Sequence, residues 1–131
     1  MAQATGSFEV ASWDEEPYEE LDGGGKLTRA TVTLNLSGDI EGDGSVVWLM
    51  CYRPDGTAHF VGLLRVTGAV GGHKGTVVLD TTGDYEGSEA VAEWSIVPGS
   101  GTDELAGLIG RGTGRAPSQG PASFELEYGL A

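Results

Sequence analysis

The chain has 131 residues, a length that suits a single domain. Hydrophobic residues make up 39% of the sequence, which excludes an intrinsically disordered chain. The 20 acidic residues outnumber the 7 basic ones and give a formal net charge of −13, so we expect neither nucleic acid nor an anionic membrane as a partner.

The N-terminus, MAQATGSFEV, has neither the basic region nor the apolar core of a signal peptide. No apolar run elsewhere approaches the ~20 residues of a membrane-spanning helix. We therefore expect a cytoplasmic protein folded as one domain over residues 1–131, with residues 1–5 flexible. The single cysteine, Cys51, excludes an intrachain disulfide and a thiolate metal cage.

Eight segments of the chain have the composition of β-strands, and several alternate apolar with polar residues. Leu34, for example, lies between the polar Thr33 and Asn35. Glycine-rich stretches separate the segments, since the chain contains 23 glycines and 5 prolines. Only 13–21 and 102–106 suggest a turn or two of helix. The eight segments are 6–12, 27–36, 45–52, 59–66, 75–82, 91–97, 108–113 and 123–128.

The stretch Arg53-Pro54-Asp55-Gly56 predicts a hairpin turn, because proline fixes φ at about −65° and glycine supplies a positive φ. Eight antiparallel strands in so short a chain predict an all-β protein, either a closed barrel or a sandwich. Closure removes the exposed strand edges through which β-proteins aggregate. We therefore expect a single eight-stranded antiparallel β-barrel.

The segment 45–52, SVVWLMCY, is apolar on both faces. Trp48 and Met50 share one face, while Leu49 and Cys51 share the other. A single barrel covers only the inner face of a strand, so the outer face needs another cover. A subunit interface is the simplest such cover, and we expect a homo-oligomer, either a dimer or a trimer.

The stretch 97–112, VPGSGTDELAGLIGRG, has the closely spaced glycines of a phosphate-binding loop but lacks the long helix that such a loop precedes. Gly107 and Gly110 end any helix within about two turns. The stretch resembles instead a strand-to-strand corner of allene oxide cyclases and plant dirigent proteins. In such a corner, Leu105 and Leu108 would form an apolar plug that caps one end of the barrel.

The resemblance extends over residues 6–128. The segments GSFEVASWDEEPYEELDGGGKLTRATV, RPDGTAHFVGLLRVTG and VPGSGTDELAGL are similar to those of a bacterial family of unknown function in the allene oxide cyclase-like barrel group. The resemblance implies the barrel fold, and the wider group is often trimeric. It implies no particular reaction, because the family has no general assigned activity.

Two catalytic candidates follow from the resemblance to the cyclases, Glu9 and Tyr85. The cyclases have a pocket glutamate in their first strand, and Glu9 stands at that place, although Ala11 replaces the asparagine of their motif. Glu9 either lies inside the barrel, where it would suit acid–base catalysis, or alternates outward as a solvated residue. Tyr85 matches the tyrosine of a Gly-Pro-Tyr in the cyclases, and its alternative role is packing at the rim.

Seven further residues are candidates for the wall of a ligand pocket. Large inner side chains either fill a small barrel or line a pocket within it. The resemblance implies a less polar wall than usual, because the family commonly has glutamate at Leu64 and Gln-His at Asp80-Thr81. His59 and His73 lack metal-ligand spacing, so we expect no metal site. The wall candidates are Trp48, Met50, Tyr52, Phe60, Leu64, Asp80 and Trp94.

These features predict a barrel that binds a small apolar molecule and needs no cofactor. The first hypothesis is a cyclase or isomerase that folds a polyketide- or lipid-like substrate in its lumen, with Glu9 and Tyr85 as polar anchors. The second is a non-catalytic binding or carrier protein for such a molecule. The third is a packed structural barrel with no ligand.

Overall fold

Eight antiparallel strands form a closed barrel in which each strand pairs with its neighbours in chain order. The structure is a computed structural model, and it describes residues 1–130. The predicted fold class is confirmed. The strands are β1 (Ala2–Glu20), β2 (Lys26–Gly38), β3 (Ile40–Tyr52), β4 (Ala58–Val70), β5 (His73–Tyr85), β6 (Glu89–Ile96), β7 (Leu108–Pro117) and β8 (Ala122–Leu130).

Alternation along each strand directs one set of side chains into the barrel. On β2, Ala30, Val32 and Leu34 are at most 1% exposed, whereas Thr31 and Thr33 between them are exposed. The inward aliphatic side chains of the other strands join them in one hydrophobic core. Burial of this apolar surface, at about 25 cal/mol per Å², is the main force that holds the barrel together.

Residues 13–20 of the acidic segment 13–21 form the second half of β1, so the helical turn predicted there is wrong. The segment pairs with β2 from Asp14 and Thr31 to Glu20 and Lys26. Backbone hydrogen bonds to a neighbouring strand decide the conformation here, and they override the weak local preference for helix.

A β-bulge at Ala11 changes which residues of β1 face inward. The pairing with β2 shifts by one residue at this point, and Ala11 is left out of the ladder. Beyond it, Trp13 and Glu15 lie on the inner face because they pair with the inward residues Val32 and Ala30. Bulges re-aim side chains in this way at the rims of barrels.

The β3–β4 hairpin turns at Arg53–Gly56, as the sequence predicts. The Gly56 backbone N–H donates a hydrogen bond of 3.0 Å to the Arg53 carbonyl. Gly56 has a φ of 88°, a conformation that costs glycine little and most other residues much more.

The glycine-rich corner between β6 and β7 caps one end of the barrel, also as predicted. It contains a short 3₁₀-helix at Asp103–Leu105, inside the segment predicted to turn. Leu105 and Leu108 are both 1% exposed and form the expected apolar plug. Within residues 1–130, no helix has the length and apolar character needed to cross a membrane.

The barrel is unevenly closed along β1. Only Ala2–Phe8 of this strand pair with β8, and this stretch includes most of the segment expected to be flexible. Within residues 1–130, the part of β1 beyond Phe8 pairs with β2 alone. Val10 and Trp13 therefore lie on the inner face with 51% and 46% of their surface exposed.

Candidate ligand site at the open end of the barrel

A groove of ≈ 750 Å³ lies at the end of the barrel opposite the Leu105 plug. It is bounded by the β1–β2 turn at residues 21–25 and the β3–β4 turn at residues 53–57. The two hairpins bring its side chains together, since each comes from a strand segment beside one of these turns. We call it the mouth groove, and its main lining residues are Glu15, Pro17, Glu20, Lys26, Thr28 and Tyr52.

The Glu15 carboxylate is the polar centre of the mouth groove. It accepts hydrogen bonds from the Thr28 hydroxyl at 2.6 Å and the Tyr52 hydroxyl at 2.7 Å. The Trp13 indole N–H donates a third hydrogen bond, of 3.0 Å, from the same strand. These three donors fix the position of the carboxylate.

The same contacts keep Glu15 ionised. Partial burial alone would raise the pKa of Glu15, but the hydrogen bonds from Thr28, Tyr52 and Trp13 outweigh it. The positive charge of Lys26 acts in the same direction, and the pKa of Glu15 falls below its ordinary value. The groove therefore holds a fixed negative charge at neutral pH.

Tyr52 links the carboxylate to the aromatic and cationic groups around it. Burial, followed by the hydrogen bond to Glu15, raises the pKa of Tyr52 far above its ordinary value. The Tyr52 hydroxyl therefore remains a donor throughout the physiological range. The ammonium group of Lys26 lies 5.3 Å from the centre of the Tyr52 ring, within cation–π distance.

An aromatic wall extends from the groove into the barrel. The rings of Trp13 and Trp48 lie 5.8 Å apart, and those of Trp48 and Phe60 lie 5.5 Å apart in an edge-on arrangement. The Trp48 indole N–H donates to the Thr81 hydroxyl at 2.9 Å, which fixes the ring. A Cβ atom at Gly62 would lie 2.5 Å from Trp48 Cδ1, so the ring packs directly on the glycine backbone.

Six of the seven predicted wall residues lie on the inner face. Met50, Phe60 and Leu64 are buried in the core, at 7%, 6% and 0% exposed. Trp48 and Tyr52 are only partly buried and pack against this core. The seventh, Asp80, lies exposed on the outer face next to the inward Thr81.

Trp94 is the sixth inner residue, and it lies apart from the mouth groove. It is buried between Phe8 and Phe124, with ring centres 5.6 and 5.7 Å away. A Cβ atom at Gly114 would lie 2.6 Å from the Trp94 ring. Such close packing on every side makes Trp94 part of the core.

The two predicted catalytic residues are not brought together. Glu9 lies exposed on the outer face, paired with Asn35, because its neighbour Phe8 occupies the inner face. Of the two alternatives for Glu9, inside the barrel or outward as a solvated residue, the structure has the second. Tyr85 is partly buried at the same end of the barrel as Tyr52, and its hydroxyl donates to the Gly87 carbonyl at 3.0 Å.

Sequence reasoning missed Glu15, Trp13 and Thr28. The run WDEEPYEE has the composition of a solvated loop, and the alternation of Trp13, Glu15 and Pro17 is visible only once the segment is known to be a strand. The bulge at Ala11 hides it further, because inward positions change from even to odd numbers along β1.

A second polar cluster lies on the outer face beside the β3–β4 turn. Asp84 accepts one hydrogen bond from Arg53 at 2.8 Å and contacts His59 Nδ1 at 3.2 Å. The hydrogen bond from Arg53 is the chief cause of the lowered pKa of Asp84. Within residues 1–130, no three His, Cys, Asp or Glu side chains are grouped so as to hold a metal ion.

Comparisons with known proteins relate the chain to a family without an assigned activity. The profile of the family DUF3224, described as proteins of unknown function, matches residues 4–128. The barrel is similar to the crystal structure of a protein of unknown function from the DUF3224 family of Shewanella oneidensis. The TM-score is 0.87 at 26% identity, over 100% of this chain and 98% of that chain. The comparison with curated proteins gives no match.

Proposed function

This chain belongs to the DUF3224 family of proteins of unknown function, and we propose that it binds a small apolar molecule at the mouth groove. One observation carries the proposal: the fixed Glu15 carboxylate accepts a hydrogen bond from the half-exposed Trp13, whose ring packs against that of the partly exposed Trp48. Small-molecule sites typically combine an apolar or aromatic wall with a few oriented polar groups.

The ligand is expected at the mouth and not deep in the lumen. The inner side chains beyond Phe60 are almost fully buried against one another, as Leu64 at 0% and Leu79 at 1% exposed illustrate. Protein cores packed in this way leave little space for a ligand. The inner face of β1 beyond Phe8, by contrast, is open to solvent at Val10 and Trp13.

Native mass spectrometry of the purified protein is the first test of this proposal, since a co-purified molecule of defined mass would support it. Titration with Nile red, a neutral apolar dye, is the second. We expect Trp13→Ala to weaken dye binding. Ile109→Ala removes an apolar side chain of similar exposure, 40%, from the outer face of β7 and should leave binding unchanged. If the protein carries no small molecule and does not bind the dye, the packed structural barrel replaces this proposal.

A second candidate is a cofactor-free cyclase or isomerase, in line with the resemblance to allene oxide cyclase-like barrels. The ionised Glu15 beside aromatic rings favours it, because such a group stabilises positive charge that develops in a reacting polyketide- or lipid-like molecule. Tyr85, at the same end of the barrel, is a further candidate to orient the substrate.

The two candidates differ in what Glu15 does once a ligand is identified. A catalytic role requires that Glu15→Gln abolish conversion of the ligand while its binding persists. Glu9→Gln removes an exposed outer carboxylate and is the matched control. If the ligand remains chemically unchanged on incubation with the wild-type protein, the cyclase candidate is excluded and only the carrier function remains.

A further inference from the structure

We infer that the largely apolar ligand of the mouth groove carries an ammonium group, so that it is an organic cation with an apolar body. This inference rests on the proposed function and assigns the chemical class of its ligand. It starts from the Glu15 carboxylate, whose three protein donors hold it in place while the groove remains open to water. A preorganised negative charge beside aromatic rings favours a cation over a neutral or anionic molecule of the same shape.

The protein itself already places an ammonium group in this position. Lys26 Nζ lies over the face of Tyr52, and its charge reaches Glu15. Lys26 is an exposed residue on a flexible four-carbon stem, so it can move aside for a ligand. The contacts of its ammonium group indicate where the charged group of a ligand would bind.

The other charges of the groove do not oppose a cation. Glu20 adds a second carboxylate to the lining. Arg53, the remaining cation, is directed to Asp84 through a hydrogen bond of 2.8 Å, so its charge is offset. The net charge of −13 also raises the local concentration of cations near the surface.

The aromatic wall provides the place for the apolar body. Trp13 is 46% exposed on the inner face, and its ring packs against that of Trp48. A ligand with its ammonium over the face of the Tyr52 ring, where Lys26 Nζ now lies, would extend its apolar part toward Trp13. Removal of this apolar surface from water adds to the attraction between the charges.

A series of three phenylalkyl probes with a cationic, a neutral and an anionic head group tests the inference: 4-phenylbutylammonium, 4-phenylbutan-1-ol and 4-phenylbutyrate. Binding is measured by tryptophan fluorescence and calorimetry at low ionic strength. We expect the ammonium to bind about tenfold more tightly than the alcohol, and the carboxylate to bind most weakly. Glu15→Gln should remove the difference between the ammonium and the alcohol.

Lys26→Met provides a test that leaves the carboxylate and the core intact. Loss of the resident ammonium should raise the affinity for 4-phenylbutylammonium severalfold. Lys74→Met, at the other end of the barrel, makes the same change of net charge and should have little effect. Equal binding of the ammonium and the alcohol would overturn the inference while the proposed function stands. Failure of all three probes to bind would overturn both.

A different observation, an apolar patch on the outside of the barrel, supports a second inference. We propose that a second copy of the chain covers this patch. The outer apolar patch consists of Val47 and Leu49 on β3 and Val61 and Leu63 on β4. Their exposed fractions are 46%, 45%, 38% and 58%. Contiguous apolar surface of this kind is typical of interaction sites.

Charges at the rim of the outer apolar patch favour a second copy over another partner. Arg29 on β2 borders Leu49, and Asp80 on β5 borders Leu63 on the opposite side. A twofold axis along the strands, midway between β3 and β4, would place β2 of one copy opposite β5 of the other. Asp80 would then face Thr31, the next outward residue to Arg29, and the two charges would lie within reach.

Sedimentation velocity at rising protein concentration tests this interface. We expect a reversible dimer that Leu63→Glu abolishes, whereas Ile109→Glu, at another exposed outer position, leaves it intact. Asp80→Arg should weaken the dimer, and the added change Arg29→Asp should restore it. A monomer at every concentration, or a trimer, would overturn the inference.

Discussion

The Tyr52 hydroxyl, near the end of β3, donates a 2.7 Å hydrogen bond to the Glu15 carboxylate of β1, and each residue alters the proton affinity of the other. Burial and the carboxylate raise the pKa of Tyr52, while the hydroxyl helps to lower the pKa of Glu15. The pair spans two strands that are not neighbours in the sheet, since β2 lies between them. It therefore ties β1 to β3 across β2 at the mouth groove.

Tyr52→Phe should reduce the free energy of unfolding at neutral pH by about 1 kcal/mol, near the usual value for a hydrogen bond because the groove is open to water. The phenyl ring retains the packing, so the loss reports on the hydroxyl. Urea denaturation monitored by circular dichroism measures it. Tyr18→Phe, at a 56% exposed tyrosine of β1, is the control and should change little. A loss of the same size in both variants would contradict a stabilising hydrogen bond from Tyr52 to Glu15.

The contribution of Glu15 to stability should depend on pH in a defined direction. Its pKa in the folded protein lies below the ordinary value of 4.5, so the ionised form favours folding. The stabilisation is fully present above pH 4.5 and is lost as the pH falls through the lowered pKa.

Denaturation of wild type and Glu15→Gln across this pH range checks the direction. The difference in unfolding free energy should be largest at neutral pH and should shrink in acid. Glu9→Gln serves as the control for the loss of one exposed negative charge. A difference for Glu15→Gln that stays constant with pH would show that the ionised carboxylate has no special stability.

Gly62→Ala should destabilise the barrel by about 1–3 kcal/mol through overpacking. The new methyl group would lie 2.5 Å from Trp48 Cδ1 and 2.7 Å from the Val47 carbonyl oxygen. Displacement of Trp48 should also shift the tryptophan emission to longer wavelength, because the ring moves toward water. At Gly129 the methyl group would meet only the flexible end of Met1, so Gly129→Ala is the matched control. An unshifted spectrum would mean that the ring does not rest on Gly62.

Leu105→Ala should cost about 3 kcal/mol of stability, because it empties part of the plug that caps the barrel. Leu105 is 1% exposed, so little of the lost contact can be replaced by water. Thermal and urea denaturation measure the change. Ile109→Ala, at a 40% exposed outer position, should cost much less. Equal losses at the two positions would argue against a sealed end.

The barrel itself was readable from the sequence because its strands bury one face each. The alternation around Leu34 and the turn at Arg53–Gly56 depend on neighbours close in the chain, and both are found as predicted. The glycines that end a helix early indicated a corner at this place, and the plug at Leu105 was implied by the resemblance of that corner to those of allene oxide cyclases and dirigent proteins. Such local patterns are sufficient when burial and turn geometry decide the conformation.

The mouth groove was not readable in the same way. Glu15, Thr28 and Tyr52 meet only because three strands adopt one register, and the bulge at Ala11 reverses the inward positions of β1. The outward position of Glu9 was one of two alternatives that the sequence left open. A single sequence carries no signal for the bulge, so the position of the carboxylate had to come from the structure.

The part of β1 beyond Phe8, which pairs with β2 alone, has a consequence for the behaviour of the protein at high concentration. Within residues 1–130, the edge of this strand beyond Phe8 lacks a neighbour on the β8 side, so its backbone N–H and C=O groups form a template for strands of other molecules. Asp14, Glu16 and Glu19 charge the segment, and Pro17 removes one donor from it. The acidic run that looks like ordinary surface in the sequence thus protects the molecule from edge-to-edge fibril growth, and its neutralisation in acid would remove that protection.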